Sequence, residues 1–67
     1  MKSILNKLLK IAVANGVEAA IKLHIAKGDD LNARDDAGYT PLMIAARKKQ
    51  TNACRLLLEN GADPPLT

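Results

Sequence analysis

Aromatic side chains are almost missing: Tyr39 stands alone among 67 residues, with no Phe and no Trp. A core must then be assembled from Leu, Ile, Val and Ala, whose small volumes suit thin helices in close contact. Cysteine is equally scarce. Cys54 is single, which excludes an internal disulfide and a cysteine-based metal site and makes a reducing, cytoplasmic setting the simpler expectation. No apolar run approaches the roughly 20 residues that cross a membrane. Lys7 and Lys10 interrupt the segment leading to Ala12-Val13-Ala14, so the uncharged stretch of about 7 to 15 residues that a secretory signal needs is absent. The chain reads as soluble.

Other absences bear on chemistry. A nucleophile needs a base and an orienting group beside it, and His24, Cys54 and the acidic residues fall on unlike elements. Gly-rich phosphate loops and paired zinc-ligand spacings are missing. His24 is the one histidine, and it lies on an apolar stripe, which favours packing over metal ligation. Cys54 reads as core. No catalytic residue, metal or cofactor is expected, and the chain does not read as an enzyme.

What is present is helical periodicity broken by polar turns. Ile4, Leu5, Leu8, Leu9, Ile11 and Ala12 recur at helical spacing, which predicts an amphipathic helix beginning near Ile4 behind a Ser3 cap and stopping at Asn15-Gly16. A second helix carries Val17, Ala20, Ile21, His24 and Ile25 on one side and ends before Gly28. From Asp29 to Tyr39 the pattern is turn chemistry, with two Asp-Asp pairs, Asn32 and Gly38. Thr40 and Pro41 open a third helix, Thr40 as a hydroxyl cap and Pro41 at the first helical position, where its missing N–H is of no consequence. Leu42, Ile44, Ala45 and Ala46 continue it. A fourth runs from about Thr51 to Asn60, stopped by Gly61 and barred from continuing by Pro64-Pro65.

Shifting the sequence by 33 residues against itself sets Leu9 on Leu42, Ile11 on Ile44, Ala12 on Ala45, Leu23 on Leu56, Gly28 on Gly61 and Asp30 on Asp63. With that period, the run Asp35-Asp36-Ala37-Gly38-Tyr39-Thr40-Pro41-Leu42, followed by Ala45-Ala46, Leu56-Leu57-Leu58 and Gly61-Ala62-Asp63, resembles the ankyrin repeat. The resemblance covers most of 8–64 and is stronger in the second unit. It implies an all-α, ankyrin-like stack: two antiparallel helix-turn-helix units joined by a β-hairpin finger, in one domain of residues 1–67. Residues 1–30 are expected to form an amino-terminal capping unit, 31–63 a full repeat and 64–67 the start of a truncated finger. Two departures stand out. Met43 occupies the place of a histidine that ties the finger to the helix, which leaves the finger looser. Lys49 occupies the place of a Gly that closes the inner helix, where a positive φ disfavours any other residue by roughly 1 kcal/mol.

In such repeats partners meet the finger tips and the solvent side of the inner helices. Carried onto this chain, the partner-binding positions are Asp36, Ala37, Tyr39, Met43, Arg47 and Lys48. Tyr39, the lone ring in a polar turn, is the leading candidate; its alternative role is to cover the start of the third helix. Asp36 is open to a partner or to turn formation. Arg47-Lys48-Lys49 is the one run of three like charges; it either complements the helix dipole as a solvated end or engages an acidic surface. The expected function is thus noncatalytic protein-protein interaction, within a larger protein. The alternative is a small helix-turn-helix nucleic-acid binder, suggested by the net charge of +3. Its lysines are scattered, however, so no helix offers a base-reading face. A membrane-bound helix is disfavoured because the first helix needs its apolar face for the core. Two units are fewer than the about three that a stack usually needs. Lys2, Lys7 and Lys10 suit a polar outer cap, and the second unit lacks one, which predicts self-association through its carboxyl-terminal face.

Overall fold

A computed structural model of the chain describes residues 4–64. Its four helices are α1 (Lys7–Asn15), α2 (Glu18–Ala26), α3 (Pro41–Arg47) and α4 (Thr51–Glu59). Helices α1 and α3 lie side by side as the inner layer, with α2 packed on α1 and α4 on α3 and α2 as the outer one. The expected all-α stack of two helix pairs is therefore observed. A single core runs through both pairs. Leu9, Val13, Ile21 and Leu57 are fully enclosed, and Leu5, Ala12, Leu42, Ile44, Ala45 and Ala53 surround them.

The helix stops repeat with the same period. At Gly16, Gly28, Lys49 and Gly61 the backbone turns left-handed, with φ of 66°, 85°, 57° and 100°. Each end carries the paired bonds that satisfy the last carbonyls of a helix. Gly16 N–H donates to the Val13 carbonyl and Val17 N–H to that of Ala12; Lys49 and Gln50 N–H likewise donate to Ala46 and Ala45. Lys49 thus takes the strained conformation that its alignment with Gly16 predicts. The two turns also touch. The Gln50 amide lies against Gly16, where an added Cβ would fall 2.4 Å from Gln50 Oε1, and Gln50 Nε2 donates to the Ala14 carbonyl at 3.0 Å.

Three expectations need correction. Helix α1 starts at Lys7, not near Ile4, because Asn6 caps it by accepting the Leu8 N–H at 2.9 Å. Ser3, the expected cap, lies outside the described residues. Ile4 and Leu5 are instead extended beside Arg34 in a parallel bridge, with Leu5 N–H donating to the Arg34 carbonyl at 3.1 Å. The finger is a tight turn rather than a β-hairpin: the described residues contain that isolated bridge and no named strand. Val17, expected on the buried stripe of α2, is 48% exposed.

The exposed apolar side chains are weighted to the first unit. Ile4, Leu8, Ile11 and Leu23 are each more than half exposed, whereas among the described residues of the second unit no large aliphatic is, Leu58 coming nearest at 47%. Among the described residues, the exposed large aliphatic side chains expected on the second unit are thus found mainly on the first. Lys7 and Lys10 are exposed too, but Lys10 faces the second unit and not an outer surface.

Candidate functional site

The turn after α2 is built around Asp35. Its Oδ1 accepts the backbone N–H of Ala37 at 3.0 Å and of Tyr39 at 2.8 Å. Asp35 N–H donates to the Tyr39 carbonyl and Gly38 N–H to the Asp35 carbonyl, both at 2.9 Å. This is the side-chain mimicry of a backbone turn that Asp performs readily, and Asp35 performs it rather than Asp36. Gly38 is left-handed at φ 89°, and its carbonyl accepts Arg34 Nη1 at 2.8 Å. The second carboxylate oxygen of Asp35 reaches across to α1, where Lys10 Nζ lies 2.8 Å away. That ammonium, followed by the Tyr39 and Ala37 N–H groups, holds the Asp35 carboxyl below the usual carboxylate range.

Thr40 closes the turn and starts α3. Its hydroxyl accepts the Met43 N–H at 3.3 Å, and Pro41 follows it in the first turn, as the residue types predict. One helical turn past Met43, Arg47 reaches back over Tyr39. Arg47 Nη1 donates to the Tyr39 hydroxyl at 2.7 Å, and the guanidinium carbon lies 4.6 Å from the ring centre. Tyr39 is therefore not a ring without a partner: it is half-buried against the core on one side and stacked by a cation on the other.

Between this turn, α1 and α3 lies a cavity of about 260 Å³ lined by Lys10, Ala14, Asp35, Ala37, Tyr39, Ile44, Arg47 and Lys48. Ala14, Ala37, Ile44 and Tyr39 make its lining largely apolar, and Arg47 and Lys48, which line it too, are exposed. Four of the six positions expected from the sequence, Ala37, Tyr39, Arg47 and Lys48, come together here. Asp36 is exposed on the turn and Met43 is half-buried on α3, and neither lines the cavity. Lys10, Ala14, Asp35 and Ile44 were missed. Lys10 and Asp35 are 25 positions apart, and the signal that links them is the repeat period, which places α1 against α3.

A second polar cluster joins α1 to α2. His24, 6% exposed, contacts Asp29 through Nδ1 at 2.7 Å. An ionised carboxylate accepts only, so the ring nitrogen carries the hydrogen. Asn6 Nδ2 donates to the same Asp29 oxygen at 3.1 Å. His24 is thus a satisfied interior residue, as its apolar stripe suggests. Among the described residues no three His, Cys, Asp or Glu side chains gather in a way that would hold a metal ion, and no helix is long and apolar enough to cross a membrane.

The helix pairs, their 33-residue period and the turn that joins them agree with comparison to known proteins. The family model described as ankyrin repeats (3 copies) matches residues 4–67. The chain belongs to the ankyrin repeat family. It is 42% identical over 55 residues to protein phosphatase 1 regulatory subunit 12A of Mus musculus, a match covering 82% of this chain and 5% of that protein. It is 41% identical over 59 residues to the mitochondrial disaggregase of Bos taurus, covering 88% and 9%. With the DNA-binding protein RFXANK of Homo sapiens it shares 44% identity over 52 residues, covering 76% and 20%. The ankyrin chain therefore spans a small part of each of these relatives. Ankyrin repeats and kinship to a regulatory subunit support a protein-protein interaction module.

Proposed function

We propose that this ankyrin module is noncatalytic and binds an acidic segment of a partner protein in the groove between α1, α3 and the Asp35–Tyr39 turn. The observation that carries this reading is the makeup of the groove: a largely apolar lining of Ala14, Ala37, Ile44 and Tyr39 beside the exposed cations Arg47 and Lys48. An aliphatic or small aromatic side chain of the partner fills the cavity, and a neighbouring carboxylate meets the cations. Lys10 is already paired to Asp35, so the free positive charge is that of Arg47 and Lys48, with Lys49 next to them. Asp36, exposed on the turn, and Met43, half-buried on α3, flank the groove as secondary contacts. Stacking of Arg47 on Tyr39 keeps both side chains in place before the partner arrives, which lowers the ordering entropy of binding. A cytoplasmic setting suits the unpaired Cys54. Self-association belongs to the same proposal, and the side chains available for it are Leu8, Ile11 and Leu23.

Affinity capture from a nuclease-treated native lysate, beside a Tyr39→Ala, Arg47→Ala, Lys48→Ala triple variant of equal helix content, tests the site. A protein retained by the parent and lost from the variant is the expected result. Recovery of nucleic acid alone from an untreated lysate, with no protein that distinguishes the two baits, would favour the nucleic-acid reading.

A further inference from the structure

The charged side chains that line the groove are Lys10, Asp35, Arg47 and Lys48. Asp35 is the one acid among them, and it is the best sheltered. Its side chain is 8% exposed, against 46% for Lys10, whose Nζ lies 2.8 Å from Oδ2. The other carboxylate oxygen is committed to the Ala37 and Tyr39 N–H groups, so Asp35 cannot turn away without opening the turn. Lys10 and those N–H groups also lower its carboxyl, which keeps it ionised at neutral pH. A carboxylate with little water around it is felt by a neighbouring anion more strongly than an exposed one. Without Lys10, that charge would oppose any anion held by Arg47 and Lys48. One period later the position of Lys10 is taken by Met43, which has no ammonium to offer.

We infer that Lys10 sets the charge of the groove through Asp35 and does not itself bind the incoming anion. It neutralises the one acid in the lining and leaves the partner's carboxylate to Arg47 and Lys48. This inference rests on the reading of the groove as the site of an acidic segment. The contrast between the cations supports it. Arg47 donates to the Tyr39 hydroxyl and lies over its ring, contacts that leave its charge uncancelled. The Lys10 ammonium sits against a full negative charge. Opposite charges so close cancel beyond their immediate surroundings, which leaves the lining with the two positive charges of Arg47 and Lys48. If Lys10 is removed, Asp35 offsets one of those two. Lys10 thereby determines the preference for an acidic segment without touching it, and it does so from α1, the helix of the other unit.

Tyr39 is the one aromatic residue of the chain and lines the same cavity, so its fluorescence reads the groove directly. The test compares quenching by iodide, an anion, with quenching by neutral acrylamide at a fixed ionic strength of about 0.1 M. In Lys10→Met, iodide quenching is expected to fall about 1.5- to 2-fold, as the loss of one nearby charge implies at that screening. Acrylamide quenching and helix content should stay as in the parent. Lys10→Arg keeps the charge and is expected to match the parent. Asp35→Asn retains an oxygen for the turn and is expected to raise iodide quenching by a similar factor. The Lys10→Met, Asp35→Asn double variant should return to the parent's value. An iodide response unchanged in Lys10→Met overturns the inference. So does a double variant that stays as low as Lys10→Met, which would make Lys10 an anion-binding residue in its own right. Acrylamide quenching that rises in Lys10→Met overturns it too, because Lys10 would then only hold the turn closed. No partner enters this experiment. If the quenching pattern holds while affinity capture retains no protein, the partner reading fails and the charge assignment stands.

Discussion

Gly16 and Lys49 occupy equivalent positions, and each adopts the left-handed backbone, at φ 66° and 57°. Only the second carries a Cβ in a conformation that penalises one, by about 1 kcal/mol. Lys49→Gly removes that strain at the expense of a more flexible unfolded chain. The expected net gain is about 0–0.6 kcal/mol, seen as a rise of at most a few degrees in thermal midpoint for a domain of this size. Gly16→Ala introduces the same strain and also displaces the Gln50 amide, whose bond to the Ala14 carbonyl contributes about 1 kcal/mol. A loss of about 1–2 kcal/mol is expected in urea unfolding. Equal responses at the two sites would show that their turns are not equivalent. Asp35 supplies a pH-dependent contrast. Its folded carboxyl binds a proton less tightly than the unfolded one, chiefly because of Lys10. The stability this contributes is complete above the ordinary Asp range near pH 4 and is lost as the pH falls through the lower folded value. Lys10→Met, which keeps most of the aliphatic stem, is expected to flatten the acid side of a plot of thermal midpoint against pH while leaving its slope above pH 6 unchanged.

At the scale of elements, the start of α1 is the instructive case. Ile4, Leu5, Leu8 and Leu9 have helical spacing, so the sequence pattern extends the helix back to Ile4. Asn6 caps it instead, and the chain before Asn6 is held extended by a contact that local periodicity does not carry, the bond of Leu5 N–H to the Arg34 carbonyl. The stops were legible because Gly16, Gly28 and Gly61 act through their own backbone freedom, and Thr40-Pro41 because a hydroxyl cap acts within three residues. Tyr39 with Arg47, Lys10 with Asp35 and His24 with Asp29 and Asn6 were not legible. Lys10 with Asp35 and Asn6 with Asp29 depend on which helix faces which; Tyr39 with Arg47 and His24 with Asp29 are near in sequence but rest on side-chain rotamers that residue type does not fix. The His24 cluster has no counterpart in the second unit, where Leu57, Ala62 and Tyr39 stand at the corresponding positions. Asn6 serves α1 twice, as its cap and as a donor to Asp29. Asn6→Ala should therefore cost more than an ordinary cap, about 1.5–2.5 kcal/mol from both bonds. Amide exchange should quicken over Lys7–Lys10 before it does over α4. Uniform acceleration across all four helices would mean that the cap has no local role.

For the whole molecule, the question is whether two helix pairs can unfold separately. The fully enclosed residues come from both, Leu9, Val13 and Ile21 from the first and Pro41 and Leu57 from the second, and they belong to one continuous cluster. Neither pair buries its own apolar face without the other, which is the general condition of stacked repeats. In a chain under about 70 residues a single core rarely supplies more than about 3–5 kcal/mol. Truncating one enclosed leucine removes about 2–5 kcal/mol, so Leu57→Ala is expected to take away most or all of it. Because the core is shared, far-UV circular dichroism should show α1 and α2 lost together with α3 and α4 in one transition, not half the helix signal surviving. Leu58→Ala, next to it in sequence but 47% exposed, should change stability by about 0.5 kcal/mol or less. Two separate transitions in the parent would place the stabilising boundary between the helix pairs and contradict the single core from which their cooperativity is derived.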